Sequence, residues 1–284
     1  MPELPEIQGL AGWLDRTLTG QPIEHVRLRS VSALKTYDPP ISALAGRRLD
    51  RVSRRGKFLS LHAGDLQLAL HLSRAGWLRW SMGETSRKPS LRGPILLELR
   101  FSEGMLDVTE QGHEKRVALW LVHRLDEVPQ IAELGPDALD PELDEEHFHR
   151  LLTARSGTVK RALADQRVIA GIGNAYSDEI LHSARISPFT RTSRLGPAET
   201  RALRDAMRSI LSSSVTRAVA LEGRQLKDDK RSHFSVHGRT GLPCPVCGDT
   251  IHEVWSAGRS FQYCPGCQTG GRVYADRRLS RLLK

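Results

Sequence analysis

The four cysteines of this 284-residue chain, Cys244, Cys247, Cys264 and Cys267, all fall in one short stretch near its C-terminus. Their spacing is C-x2-C-x16-C-x2-C. Each C-x2-C pair sits on a tight turn that aims two thiolates at one point, and two such turns close a tetrahedron around zinc. Two disulfides would also satisfy the spacing. The rest of the chain has no cysteine, however, and the start Met1-Pro2-Glu3-Leu4-Pro5-Glu6 is the reverse of a secretion signal's basic-then-apolar order. One Zn2+ per chain is therefore expected. Its role would be structural, because four thiolates leave no open position for water. A ribbon this small cannot bury a core, so metal binding must supply its folding energy.

Charge is divided unevenly. Residues 151–284 carry 22 Lys and Arg against 11 Asp and Glu, while the first 150 carry 20 against 22. A basic half joined to a near-neutral half points to a polyanionic partner, most often nucleic acid. The longest purely apolar run is Val117 to Val122, far short of the ~18 residues of a membrane span. With 39% hydrophobic and 26% charged residues the chain is expected to be globular, soluble and cytoplasmic, without a membrane.

The order of elements reads as α+β. Residues 2–20 predict a helix that opens on prolines, with Ile7, Leu10, Trp13, Leu14 and Leu18 as its apolar stripe. From about residue 23 to 123 short strands follow: Leu49–Ser53, Phe58–His62, Leu66–Leu72, Trp77–Trp80, Ile95–Phe101 and Val117–Val122. Many short strands with turn signals imply a β-sandwich or barrel. The acidic, proline-containing segment 126–142 has the composition of a linker. Helical periodicity then takes over through 143–235, and the cysteine ribbon completes the chain. The expected domains are 1–125, a linker 126–142, 143–235 and 236–284.

Several residues carry chemistry. Once Met1 is removed, Pro2 presents a secondary amine with a pKa of ~8, low enough for a neutral, nucleophilic fraction near pH 7. Attack on a sugar C1′ would give an iminium directly, which acidifies the C2′ protons and permits elimination of the 3′ phosphate. Glu3 and Glu6 lie three apart on the first helical turn, where one carboxylate can move protons on the sugar. Taken alone, these features read better as an N-terminal helix whose acidic residues favour its dipole. Lys57, in Arg54-Arg55-Gly56-Lys57, sits where one strand turns into the next and is well placed to hold a phosphate, although a merely solvated turn is the commoner case. Gly171-Ile172-Gly173-Asn174 offers a tight turn, a helix start and an amide. Arg259 lies midway between the cysteine pairs at the expected hairpin tip.

Together, Met-Pro-Glu-Leu-Pro-Glu, Arg-Gly-Lys-Phe at 55–58, Gly-Ile-Gly-Asn-Ala-Tyr-Ser-Asp-Glu at 171–179, Val-His-Gly-Arg-Thr-Gly at 236–241 and the cysteine ribbon resemble, in order and over essentially the whole chain, the Fpg/Nei family. These are the formamidopyrimidine-DNA glycosylases and endonucleases VIII of base-excision repair. The resemblance implies an N-terminal β-sandwich with its N-terminal helix, a helix-two-turns-helix domain and a C-terminal zinc-ribbon β-hairpin. It also implies a bifunctional DNA glycosylase/AP lyase that removes oxidised bases through a proline Schiff base and cleaves by β,δ-elimination. Pro2 matches the family's nucleophile, Glu3 its acid/base, Glu6 the supporting glutamate and Lys57 the phosphate-binding hairpin lysine. Asn174 and Arg259 match the pair gripping phosphates beside the lesion, and Lys160 a lysine that contacts DNA near it. The implied partner is damaged double-stranded DNA. The implied protein is a monomer without nucleotide cofactor, working in a prokaryotic cytoplasm and on the nucleoid when bound to DNA.

Two departures stand out. The Fpg branch has methionine after His-Leu-x, where this chain has Arg74, taken as a DNA-binding position. Its Arg-Arg-Phe-Gly loop is replaced by Thr109-Glu110-Gln111-Gly112-His113-Glu114-Lys115-Arg116. These leave a second reading, a non-catalytic protein that binds damaged or abasic DNA. A third, a zinc-ribbon transcription protein, would account for the cysteines and not for the N-terminus.

Overall fold

The computed structural model describes residues 1–83, 94–112, 114–229, 233–256 and 259–274. It contains two compact units, Met1–Glu133 with Val215–Asp228, and Leu134–Ser214 with Asp229–Lys284. Among the described residues no helix is long and apolar enough to cross a membrane.

The first unit opens with helix α1 (Leu4–Leu18). Its strands are β1 (Ile23–Leu28), β2 (Arg51–Arg55), β3 (Phe58–Ala63), β4 (Leu66–His71), β5 (Gly76–Met82), β6 (Ile95–Phe101), β7 (Gly104–Glu110) and β8 (Ala118–Val122). They form two antiparallel sheets in the orders β1-β6-β7-β5 and β2-β3-β4-β8. Leu59, Leu61, Leu68, Leu70, Leu119 and Leu121 of the second sheet share one core with Leu78, Leu97, Leu99, Leu106 and Val108 of the first, making a β-sandwich. Alternation explains this: in Leu66-Gln67-Leu68-Ala69-Leu70 the leucines fall on one face of the pleat.

Helix α1 lies along β2. Asp15 Oδ1 accepts from the Val52 amide at 2.6 Å, and Arg54 Nε donates to Gln8 Oε1 at 2.9 Å. Residues 215–228 also pack against α1, and a Cβ placed on Gly9 would meet Ala218 O at 2.7 Å. Glycine is thus what lets the two backbones approach. A short helix, α2 (Pro129–Ala132), follows the sandwich.

The second unit holds helices α3 (Glu145–Thr153), α4 (Val159–Ala164), α5 (Asn174–Ser183) and α6 (Pro197–Val219), the last of which runs on into the first unit's segment. Side-chain caps mark the starts of α3 and α4, as the Asp144 carboxylate accepts from His147 N and Thr158 Oγ1 from Arg161 N. The segment before α3 is tied down by backbone bonds between Ala170 N and Pro136 O and between Ala138 N and Ala170 O. Arg208 adds a bond to Asp140 O at 2.8 Å. Beyond α7 (Gly223–Asp229), the antiparallel hairpin β9 (His252–Ser256) and β10 (Arg259–Tyr263) leads to α8 (Pro265–Gln268).

Two strands are absent from the sequence reading. In β7 the buried Asp107 breaks the apolar pattern, and it is accommodated because Arg79 holds it at 2.5 Å. Strand β1, at a sheet edge, packs Ile23, Val26 and Leu28 on the core, but a register shift between Ile23 and His25 breaks the simple alternation.

Candidate active site and zinc centre

In the first unit the chemistry gathers at the head of α1. Pro5 occupies the first turn, where a missing N–H costs nothing, and Glu3 is the N-cap. Glu3 and Glu6 form a capping box: the Glu3 amide donates to Glu6 Oε2 at 2.6 Å, and the Glu3 carboxylate accepts from the Glu6 amide. Both side chains are 3% exposed, and Pro2 is buried beside them. Two carboxylates are thus held at the positive end of a helix dipole, directly after the residue read as the nucleophile.

Lys57 lies in the two-residue turn between β2 and β3, whose end pair is Arg55 opposite Phe58. Gly56 takes φ +57°, as the first central position of a II′ hairpin requires. Arg54 fixes the turn to α1, since its guanidinium bonds both Gln8 and the Gly56 carbonyl, the latter at 3.1 Å. Lys57 itself is buried. Next to it His71 packs against Phe58 with ring centroids 4.8 Å apart and the rings tilted by 44°. Burial, and secondarily the Lys57 charge, push the His71 pKa down to about 4, so the ring is neutral near pH 7.

Arg74 is exposed in the turn after β4. The loop beyond β7 is organised by Glu110, whose Oε1 accepts from the amides of Arg116 at 2.7 Å and Val117 at 3.1 Å. His113 of that loop lies outside the described residues.

In the second unit one helix face organises everything. Asn174 begins α5, and its side-chain amide donates to the Ser260 carbonyl at 2.8 Å, which joins it to the strand that starts at Arg259. The Arg259 backbone pairs with Ser256, while its side chain and Gly258 lie outside the described residues. Lys160 is 7% exposed, and its Nζ bonds Asp178 Oδ1 at 2.5 Å, Ser177 Oγ at 2.9 Å and the Asn174 carbonyl at 3.3 Å. The other oxygen of Asp178 meets His237 Nδ1 at 2.7 Å. Glu179 accepts from three consecutive amides, Ser235, Val236 and His237, at 2.8, 3.0 and 2.8 Å. Burial nonetheless raises its pKa above the usual carboxylate value.

The cysteines converge. Cys244 Sγ lies 3.8 Å from Cys267 Sγ, and Cys247 Sγ lies 3.3 Å from Cys264 Sγ. All four are free thiols, far from the ~2.05 Å of a disulfide. A tetrahedron with Zn–S of ~2.3 Å has sulfur edges of ~3.8 Å, so the donor set fits zinc. His182 of α5 joins the cluster, with Nε2 3.3 Å from Cys244 Sγ. Burial, then Arg185, lowers its pKa.

The structure brings Pro2, Glu3 and Glu6 together, and separately Lys160, Asn174 and the strand bearing Arg259. His71, Asp178, Glu179 and His182 were not singled out from the sequence. Residues 175, 178, 179 and 182 fall at i, i+3, i+4 and i+7, so three ionisable groups on one helical stripe were the available signal.

Comparison with known proteins accounts for most of the chain. Residues 1–117 match the formamidopyrimidine-DNA glycosylase N-terminal domain, 134–225 the H2TH domain of that glycosylase, and 241–270 the zinc finger found in FPG and IleRS. An uncharacterised formamidopyrimidine-DNA glycosylase-like protein of Mycobacterium tuberculosis is 57% identical over 156 residues, covering 55% of this chain and 98% of that protein. The formamidopyrimidine-DNA glycosylase of Thermus thermophilus is 35% identical over 288 residues, covering 95% of this chain and 100% of the relative. A crystal structure of the Thermus thermophilus protein superimposes with TM-score 0.79 at 32% identity, covering 94% of this chain and 98% of that one. The Lactococcus lactis enzyme bound non-covalently to DNA containing an AP site superimposes with TM-score 0.82 at 26% identity, covering 94% and 99%. With its sandwich, its helices and its zinc finger all matched in order, the chain belongs to the formamidopyrimidine-DNA glycosylase family.

Proposed function

We propose that this protein is a bifunctional DNA glycosylase and AP lyase of base-excision repair, acting on oxidised bases in double-stranded DNA. The observation that carries the reading is the buried Glu3–Glu6 capping box immediately after Pro2. The pair caps the helix start, and it also adjoins a residue that becomes a free secondary amine once Met1 is removed.

The Pro2 lone pair forms the N–C1′ bond while the glycosidic bond breaks and its electrons leave with the base, which takes up a proton. Glu3 delivers a proton to the sugar ring oxygen, the ring opens, and the positive charge rests on an iminium. Loss of a C2′ proton expels the 3′ phosphate, a second elimination expels the 5′ phosphate, and water hydrolyses the iminium. Glu6 holds Glu3 in place through the capping box. Lys57, on a turn braced by Arg54, binds a phosphate near the reacting nucleotide, and Arg74 extends the contact.

Asn174 and Arg259 grip the backbone beside the lesion. Lys160 acts through Asn174, whose carbonyl it holds, while its ammonium stays with Asp178. One zinc per chain, held by Cys244, Cys247, Cys264 and Cys267, stiffens the ribbon that presents Arg259. The protein works as a monomer without nucleotide cofactor in the cytoplasm, on the nucleoid. The Lactococcus lactis relative's complex with AP-site DNA supports the choice of ligand.

Borohydride reduction in the presence of abasic-site DNA tests this. A covalent protein–DNA adduct is expected with Pro2 confirmed as the N-terminus, and Pro2→Gly is expected to abolish it. No adduct from processed wild-type protein would refute the mechanism. The exposed Arg74, where the family's Fpg branch has methionine, favours a second reading as a binder that shifts abasic DNA without nicking it; strand cleavage in the same assay separates the two.

A further inference from the structure

Helix α5 brings one more donor to the cysteine cluster than four-coordinate zinc needs. His182, Cys244, Cys264 and Cys267 each offer a ligand atom, and these four atoms lie within 4.8 Å of one another. His182 Nε2 already touches Cys244 Sγ at 3.3 Å. A tetrahedral site of three thiolates and one imidazole, with Zn–S of ~2.3 Å and Zn–N of ~2.05 Å, has an N···S edge of ~3.6 Å, close to the His182–Cys244 distance and below the 4.8 Å that bounds the group.

Cys247 is the odd member. It is exposed, whereas Cys244 and Cys264 are buried and Cys267 is half-buried. It is also the cysteine that the four-donor group with His182 leaves out. The chain therefore carries two overlapping donor sets that share three sheltered sulfurs. One set takes an exposed thiolate as its fourth ligand, the other a buried imidazole.

We infer that His182 is a reserve zinc ligand: when the Cys247 thiolate is lost, its imidazole nitrogen completes a four-donor set with Cys244, Cys264 and Cys267 and the ribbon keeps its metal. The imidazole is held ready because α5 is locked to the ribbon's entry by Asp178 and Glu179, which bind His237 and the amides of 235–237.

Peroxide is the reagent that makes such a reserve useful, since exposure decides which sulfur oxidises first. The Cys247 sulfur attacks one peroxide oxygen, an S–O bond forms and the O–O bond breaks. The sulfur gives up two electrons to become a sulfenate, and the other oxygen leaves as hydroxide, which is protonated to water. The inference stands whichever base the protein removes.

The test uses the full-length chain, loaded with zinc for metal content and with cobalt for its absorption spectrum. Cys247→Ala is expected to retain one metal per chain, with the cobalt bands shifted to shorter wavelength and weaker sulfur charge transfer. His182→Gln alone should keep the four-sulfur spectrum. Adding His182→Gln to Cys247→Ala should cost about 10–100-fold in zinc affinity. Cys264→Ala, which removes a shared sulfur, should lose metal more readily than Cys247→Ala. An affinity and spectrum of Cys247→Ala that do not respond to His182→Gln would overturn the inference, as would metal loss equal to that of Cys264→Ala. On natural-cysteine protein, peroxide should release zinc to a chelating dye about tenfold faster from His182→Gln than from wild type. Equal release rates would likewise overturn it.

Discussion

Lys160 Nζ lies 2.5 Å from Asp178 Oδ1, and both side chains are buried. The pair takes two charges out of water, which the close contact and the bonds to Ser177, Asn174 and His237 offset. Removing one partner strands the other. Asp178→Asn is expected to destabilise the second unit by about 3–5 kcal/mol. Lys160→Met in the same chain should restore much of that loss, since no buried charge is then left unpaired. Urea unfolding of both single variants and the double variant measures this.

The Lys57 turn can be read through salt. Lys57→Ala is expected to weaken binding of any duplex and to reduce the slope of log K against log salt by about 1. A fluorescence-anisotropy series across salt concentrations checks it. A slope equal to wild type would remove Lys57 from the phosphate contacts.

His71 makes the first unit sensitive to acid. Its pKa falls from 6.5 to about 4 on folding, so the unfolded chain binds the extra proton between those values. Stability from this group is complete above pH 6.5 and is lost as the pH falls through 4, an effect of at most about 3 kcal/mol. His71→Phe should flatten this limb of the stability profile. Denaturant midpoints at several pH values between the two pKa values and neutrality provide the comparison.

Gly9→Ala is expected to lower stability by about 1–3 kcal/mol, because the new methyl would sit 2.7 Å from Ala218 O and 2.8 Å from Leu226 Cδ2. A fall in Tm without change in zinc content would localise the damage to the first unit.

Stripping zinc with a chelator, or Cys264→Ser, is expected to weaken DNA binding while the sandwich stays folded, since the two lie in different units. Circular dichroism with binding titrations tests both halves of that statement.

The sandwich strands with clean alternation, such as β4, and the stripe of α1 were readable from periodicity alone, because burial there follows hydropathy. Strand β7 was not, since Asp107 is buried by virtue of a partner 28 residues away in sequence, Arg79. The N-terminal residues pointed to chemistry only through the ordered set of motifs, because a proline followed by two glutamates reads by itself as an ordinary helix start. Their capping role needed coordinates. Lys160 shows the converse: in Val-Lys-Arg-Ala a lysine looks solvated, and only the turn of α5 reveals the carboxylate awaiting it. His182 hid for the same reason, its significance resting on a cysteine 62 positions downstream.

Glu179 gathers the amides of 235, 236 and 237 on a single carboxylate. The approach to the first cysteine is therefore arranged before any ion arrives. An incoming ion meets a claw with one arm already set, so less disorder must be frozen out at capture, and this finger should fill at lower free metal than the same peptide excised from its helix.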